Sequence, residues 1–167
     1  MSSPVSSKPP ARTRFRHVLD AADPAAIEAL VTATGVFSAE EIRTAAELAE
    51  TTLDGSETYR WLIAEQDGGV VGYTCFDRVP LSKVSFDLYW IAVLPERRGT
   101  GLALELMQRT ASFIKSKRGT QVFAETSSLA AYAPARAFYR KAGFEEAARF
   151  PDFYEAGDDK VVYRLML

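Results

Sequence analysis

This sequence has few of the residues that build covalent or metal-based sites. It contains one cysteine, Cys75, and one histidine, His17, among 167 residues. A single cysteine cannot form an internal disulfide, and no Cys/His cluster has the spacing of a zinc site, so we predict no metal. No nucleophilic Cys or Ser with a histidine partner is visible, which disfavours covalent catalysis. We expect Cys75 and Trp90 to be core residues and His17 to decorate a strand.

The sequence also lacks long apolar runs and an excess of charge of either sign. No segment approaches the length of a membrane span, and the first residues lack the apolar core of a signal peptide. The net charge of −2 argues against a general nucleic-acid binder. The composition, 47% hydrophobic and 25% charged, is typical of a soluble globular protein. We therefore predict a cytoplasmic protein without nucleic-acid or membrane partners.

The length suits one domain. Residues 1–13 are rich in Ser and Pro and are predicted to be a disordered tail, and residues 14–167 to form the domain. Two helices open the domain, entered at Asp23-Pro24 and at a capping box, Ser38 to Glu41. Three strands, a helix, a strand, a short helix and two closing strands follow, with a loop predicted over 151–159. This order predicts an α/β fold with a single mixed, mostly antiparallel central sheet flanked by helices.

The stretch from Arg97 to Ala103 joins a strand-like segment to a helical one. Apolar residues recur at helical spacing from Leu102 to Ile114. A strand that ends in a glycine loop before a helix aims free backbone N–H groups and the positive end of the helix dipole at one point, which suits a pyrophosphate. The stretch is neither the phosphate loop of nucleoside-triphosphate enzymes nor a dinucleotide fingerprint. Taken alone, it could also be a tight turn with two solvated arginines.

Three motifs follow one another along the chain: Ile91 to Pro95, Arg98 to Ala103, and Ala137 to Phe144. Together they resemble the GCN5-related N-acetyltransferase (GNAT) superfamily. Arg98 to Ala103 is similar to the acetyl-CoA signature Gln/Arg-x-x-Gly-x-Gly/Ala, Ile91 to Pro95 to the strand that precedes this signature, and Ala137 to Phe144 to the family's Tyr-x-x-x-Gly-Phe segment. The resemblance covers nearly the whole chain after the tail. It implies the GNAT fold and an enzyme that transfers an acetyl group from acetyl-CoA directly to a primary amine, of a small molecule or of a protein N-terminus or lysine.

The resemblance also implies which residues bind acetyl-CoA. The family strand that corresponds to Ile91, Ala92 and Val93 is splayed by a bulge, and its free backbone groups hold the pantetheine arm. Tyr132, before the short helix, and Arg136, on it, are further candidate contacts to the coenzyme. The alternatives are that Tyr132 is a surface aromatic and Arg136 a solvated charge. The pyrophosphate is assigned to the loop and the first helical turn: Arg98, Gly99, Thr100, Gly101, Leu102, Ala103 and Leu104.

Two catalytic residues follow from the same comparison. Tyr139 is implied as the general acid that protonates the leaving thiolate, and an aromatic packed in the core is the alternative. Phe123-Ala124-Glu125 is similar to the ribosomal-protein alanine acetyltransferase branch, which implies Glu125 as the base. The apolar residues before Glu125 predict burial, which would raise its pKa. A solvated glutamate at a strand end is the alternative.

The sequence says less about the amine acceptor. Asp87 and Tyr89 share one face of their strand, and Tyr154 lies in the acidic segment 152–159. These three residues are predicted to border the acceptor, with the acids attracting a cationic amine. An open groove would favour a protein acceptor, and a closed pocket a metabolite. A non-catalytic acyl-CoA-binding sensor is the alternative function, and the C-terminal edge strand would permit a homodimer.

Overall fold

The computed structural model describes residues 12–167, so the predicted tail lies almost entirely outside the described residues. Within this range the chain forms seven strands and four α-helices. The strands are β1 (Arg14–Arg16), β2 (Arg60–Gln66), β3 (Gly69–Arg78), β4 (Ser85–Val93), β5 (Gln121–Ser127), β6 (Glu145–Glu155) and β7 (Asp158–Met166). The helices are α1 (Asp23–Thr34), α2 (Ala39–Leu53), α3 (Leu102–Ser116) and α4 (Ala133–Lys141).

All seven strands form one sheet in the order β1-β2-β3-β4-β5-β7-β6. Neighbouring strands are antiparallel except β4 and β5, which are parallel. The sheet is therefore mixed and mostly antiparallel, as predicted. Between residues 12 and 167, no helix combines the length and the apolar character needed to cross a membrane.

The first two helices begin where the sequence predicted. Pro24 occupies the first turn of α1, and Gly35 ends that helix with a φ of 70°. In α2, the Ser38 hydroxyl accepts from the backbone N–H of Glu41, and the Glu41 carboxylate accepts from the N–H of Ser38. This reciprocal cap satisfies two backbone donors at the start of α2.

The helices cover the two faces of the sheet in pairs. α1 and α2 pack on β2, β3 and the end of β4, through a cluster that includes Ile27, Trp61 and the predicted core residue Cys75. α3 and α4 pack on the opposite face, where Met107 and Tyr139 join residues of β4, β5 and β7. Among the described residues, the cluster under α1 and α2 includes none from β5, β6 or β7.

The closing hairpin differs from the prediction. The expected loop over 151–159 is wrong, because β6 runs to Glu155 and only two residues separate it from β7. Pairing is irregular between Phe150↔Lys160 and Glu155↔Asp158, so the intervening part of β6 bulges. The Asp152 carboxylate accepts from the Gly157 N–H at 2.7 Å, which supplies a local partner that sequence patterns do not reveal.

Candidate active site

The main cleft opens where β4 and β5 part. These strands pair only from Ser85 to Asp87 against Gln121 to Phe123. Further along, β4 stays on β3 and β5 stays on β7, so the sheet splits. A bulge between Cys75 and Phe76 in the pairing with β4 leaves Tyr89 as an extra residue. The cleft has a volume of about 1210 Å³.

The loop before α3 forms one end of this cleft. Gly99 and Gly101 have φ values of 75° and 84°, a region that residues with a Cβ rarely adopt. No side chain caps the helix. Within residues 12–167, five backbone N–H groups have no acceptor, those of Gly99, Gly101, Leu102, Ala103 and Leu104. The loop is therefore an anion site made of main-chain donors and the positive end of a helix.

Two other N–H groups of the loop are already used. Arg98 donates its backbone N–H to Pro95 O at 3.2 Å, and Thr100 donates to Arg97 O at 3.3 Å. Thr100 is also the one residue of the predicted run 98–104 that does not line the cleft. The anion site therefore uses the N–H groups of both glycines and of the first turn of α3.

Arginine side chains add positive charge to this end. Arg98 is exposed, and its guanidinium lies 3.4 Å from Thr34 O. The Nε of Arg97 is buried and has no hydrogen-bond partner among the described residues. A buried donor without an acceptor is costly, and an anion bound at the loop would provide one. These groups fit the diphosphate of a coenzyme.

Tyr139 is held in the wall of the cleft by α4. The residue is 8% exposed and stacks on Tyr163 with the ring centroids 5.4 Å apart. Burial, with a smaller contribution from Tyr163, raises the pKa of Tyr139 to about 12. The hydroxyl makes no hydrogen bond within residues 12–167. Tyr139 therefore keeps its proton at neutral pH and is free to donate it into the cleft.

Glu125 also lines the cleft, but the predicted burial is wrong. Its side chain is 52% exposed and pairs with the Lys160 ammonium at 2.8 Å. The reason is strand alternation: Val122 and Ala124 are buried against the α3–α4 side, so Glu125 projects from the other face. Its environment is an ion pair, not an apolar pocket.

Tyr132 bridges the cleft to α2. Its hydroxyl donates to the Glu41 carboxylate, with oxygen–oxygen distances of 2.9 and 3.1 Å. Burial, followed by the contact with Glu41, raises the pKa of Tyr132 to about 12. The sequence predicted the capping role of Glu41 but gave no signal for a contact across 91 residues. Glu41 thus caps α2 and ties α2 to the start of α4.

Besides Thr100, two predicted site residues are not part of the cleft wall. Arg136 donates to the carbonyls of Ser127 and Leu129, at 2.7 and 2.9 Å, and so fastens α4 to the segment after β5. Asp87 is the last β4 residue that pairs with β5, and therefore lies below the opening. Burial, reinforced by Glu125 and opposed by Lys160, raises the pKa of Asp87.

The end of the cleft opposite the glycine loop is aromatic and acidic. The predicted residues Tyr89 and Tyr154 both line it. Burial raises the pKa of Tyr154, and so do, in smaller measure, the nearby charges of Glu125, Asp158 and Glu41. This acidic surrounding would favour a cationic ligand.

Two aromatic residues of this end have a role that the sequence did not predict. Trp90, expected in the core, is half-buried against the α1–α2 cluster, but it also lines the cleft and packs against Phe37 with the ring centroids 4.8 Å apart. Phe37 comes from the connection between α1 and α2. No group of three or more His, Cys, Asp or Glu side chains among residues 12–167 is arranged to hold a metal ion.

Comparisons with known proteins agree with this geometry. The family profile described as acetyltransferase (GNAT) domain matches residues 57–146. A crystal structure from Desulfovibrio desulfuricans, assigned as an acetyltransferase of the GNAT family, is 37% identical, with a TM-score of 0.90 over 93% of this chain and 99% of that chain. No curated protein sequence matches the chain significantly.

Two more distant structures share the fold. The ribosomal-protein-S18-alanine N-acetyltransferase of Escherichia coli is 19% identical, with a TM-score of 0.71 over 93% of this chain and 94% of that one. A protein from Salmonella typhimurium, assigned as an acetyltransferase and crystallised with acetyl-CoA, is 20% identical, with a TM-score of 0.71 over 94% and 95%.

Proposed function

Because this chain belongs to the GNAT family and is an acetyl-CoA-dependent N-acetyltransferase, we propose that its cleft brings acetyl-CoA and a primary amine together for direct transfer. The observation that carries this proposal is the splayed pair β4–β5, which leads to an uncapped helix N-terminus. Such a site offers main-chain groups to an amide-rich arm and N–H donors to its diphosphate.

Two parts of the cleft are proposed to bind the two parts of the coenzyme. Ile91, Ala92 and Val93 line the cleft on β4, past the last pair with β5, and we assign the pantetheine arm to them. The diphosphate is assigned to the free N–H groups at Gly99 to Leu104 and to the unpartnered Arg97 Nε. An N–H of β4 directed at the thioester carbonyl would stabilise the charge that develops on its oxygen.

Direct transfer needs two proton movements. The amine nitrogen bonds to the carbonyl carbon, the carbon–sulfur bond breaks, and the thiolate receives a proton. Tyr139 is the proposed donor, because it lines the cleft and its raised pKa of about 12 keeps it protonated. It recovers a proton from water afterwards. Holding both substrates in one cleft lowers the entropic barrier of the reaction.

The amine nitrogen must also lose protons for the amide product to form. Glu125 is the proposed acceptor of these protons, and its exposure favours a relay through water over direct contact. Lys160 fixes the orientation of the carboxylate at 2.8 Å. Asp87, which lies outside the cleft wall, is proposed to act on the acceptor only through its charge near Glu125 and Lys160.

The test combines coenzyme binding with thiol release across a panel of amines. We expect calorimetry to show acetyl-CoA binding, and thiol release to rise when a suitable amine is added. Tight binding with no release from any amine would favour the acyl-CoA sensor. Absence of binding would contradict the assignment of the cleft. The cytoplasmic location and a homodimer stay predictions from the sequence.

A further inference from the structure

A buried carboxylate at the start of β7 holds the segment where β5 ends. Asp158 is 7% exposed, and its Oδ1 accepts from the Ser127 hydroxyl at 2.5 Å and from the Ser128 N–H at 3.2 Å. The Ser127 hydroxyl oxygen in turn accepts from the Leu129 N–H at 3.0 Å. Three consecutive residues, 127–129, are therefore tied to one carboxylate oxygen, either directly or through Ser127.

The same segment anchors α4. Arg136 donates from one guanidinium nitrogen to the carbonyl oxygens of Ser127 and Leu129, at 2.7 and 2.9 Å. Asp158 thus binds the donors of the segment, and Arg136 binds its carbonyls. Arg136 lies three residues before Tyr139, so these two side chains are neighbours on the surface of α4. The chain of hydrogen bonds therefore runs from Asp158 to the turn of α4 that carries Tyr139.

Packing alone places few constraints on α4. Of its nine residues, 133–141, all of which the structure describes, only Tyr139 is buried. Tyr139 stacks on Tyr163 of β7, the strand that begins at Asp158. The stack fixes the position of the ring but still allows the helix to turn about it. The hydrogen bonds through 127–129 supply the second attachment, which sets the direction of the Tyr139 hydroxyl.

Neutral groups surround the Asp158 carboxylate. Within residues 12–167 it forms no ion pair, and its hydrogen bonds come from a hydroxyl and a backbone N–H. Burying a carboxylate without a cation is costly, whereas hydrogen bonds to a charged acceptor are stronger than those between neutral groups. Asp158 and Ser127 both line the cleft. This costly but firmly bonded group therefore lies where it can fix the geometry of the site.

We propose that Asp158 is a positioning residue for acetyl transfer. It holds the segment 127–129 so that Arg136 places α4 with the Tyr139 hydroxyl directed at the leaving thiolate. This inference rests on the proposed function, in which Tyr139 is the proton donor. The role of Asp158 requires a hydrogen-bond acceptor at Oδ1 and no proton exchange with either substrate.

A double-mutant cycle with Tyr139 tests the proposal. Asp158→Ala removes the acceptor of both bonds, and we expect kcat to fall roughly tenfold, because a displaced proton donor is less effective. The Kd of acetyl-CoA should change little, since the glycine loop is untouched. In the Tyr139→Phe background, Asp158→Ala should lower kcat no further, because the hydroxyl that it positions is gone. An equal fall in both backgrounds would overturn the inference and leave the proposed function intact. If Tyr139→Phe alone leaves kcat unchanged, the proposed proton donor is wrong and the inference fails with it.

Asp158→Asn separates geometry from charge. The amide keeps an oxygen that can accept from the Ser127 hydroxyl and the Ser128 N–H, so this variant should retain most of the kcat that Asp158→Ala loses. If Asp158→Asn loses as much kcat as Asp158→Ala, the negative charge itself is required and the positioning role is wrong.

Asp23→Ala controls for stability. Asp23 is another buried carboxylate, 2% exposed, which binds Arg16 and lies outside the cleft wall. Its loss should lower the free energy of unfolding without lowering kcat, and a fall in kcat like that of Asp158→Ala would overturn the inference. Should Asp158→Ala fail to fold, Ser127→Ala replaces it in the cycle with the same expectations, because it breaks the link from Leu129 to Asp158.

Discussion

The two ends of the cleft recognise their ligands by different means. At the glycine loop the donors are five backbone N–H groups, those of Gly99 and of Gly101 to Leu104. At the acidic end the contacts are side chains from the α1–α2 connection, α2, β4, β5 and the hairpin. Backbone donors are present whatever the side chains are, so the first end depends on conformation alone. The second depends on residue identity, and is where acceptor specificity can change without loss of the coenzyme site.

The largest effect on activity is expected from a change at Tyr139, the proposed proton donor. Tyr139→Phe removes the proposed proton donor and keeps the ring that stacks on Tyr163 and Phe144. We expect kcat to fall roughly 10²–10⁴-fold, with little change in the Kd of acetyl-CoA. Steady-state kinetics and calorimetry measure the two quantities. Activity equal to that of the unmodified protein would remove Tyr139 from the mechanism.

Tyr163→Phe is the matched control for this variant. Its hydroxyl is fully buried and has no hydrogen-bond partner among residues 12–167. Removing that hydroxyl from the same aromatic stack should leave kcat unchanged, and should not lower the free energy of unfolding, because no bond is broken. A loss of activity as large as that of Tyr139→Phe would mean that packing of the stack, not proton donation, supports catalysis.

The contrast between the two ends also explains what the sequence could predict. The glycine loop is local: a strand, two glycines and a helical pattern within about 20 residues predict its geometry directly. The capping box of α2 was predictable for the same reason. The Tyr132–Glu41 bridge was not, since it joins residues 91 positions apart and no local pattern encodes it.

The exposure of side chains on the strands was the other feature that the sequence did not predict. An apolar run before Glu125 predicted burial, but alternation and the limited cover of α1 and α2 leave that carboxylate half exposed. Trp90 is only partly buried for a related reason: the bulge at Tyr89 shifts the alternation of β4, so that Trp90 packs against the α1–α2 cluster and also lines the cleft. Patterns of hydrophobicity predict which face is covered only when the covering elements are known.

The next largest effect should come from the backbone of the loop. Gly101→Ala places a Cβ at a φ of 84°, which costs about 1–2 kcal/mol if the loop keeps its conformation. We expect the Kd of acetyl-CoA to rise roughly tenfold, with the KM of the acceptor little changed. Gly55→Ala, at a φ of 80° with open space around it, carries the same strain outside the cleft. It should lower stability but not coenzyme affinity, and an equal loss of affinity would contradict the main-chain account.

A smaller effect is expected at the acidic end from Tyr132→Phe. This variant removes one hydrogen bond to a carboxylate and leaves the ring and the α2 cap in place. The KM of the acceptor should rise several-fold, because α2 and α4 are no longer tied across the cleft. Ser38→Ala breaks the cap and keeps the bridge, so it should cost about 1 kcal/mol of stability with little change in KM. The reverse outcome would place the functional role in the cap.

The smallest effect is expected from Arg98→Ala, although this residue carries full charge at the coenzyme end. Its guanidinium is exposed and makes only a 3.4 Å contact to Thr34 O, so solvent and salt screen it. We expect the Kd of acetyl-CoA to rise about two- to threefold at low salt, and the difference to vanish at high salt. Arg97→Ala should have the larger and less salt-dependent effect, since its Nε is buried and unpartnered. If instead Arg98→Ala weakens binding more than Gly101→Ala, side chains and not the main chain dominate at this end, and the contrast between the two ends of the cleft does not hold.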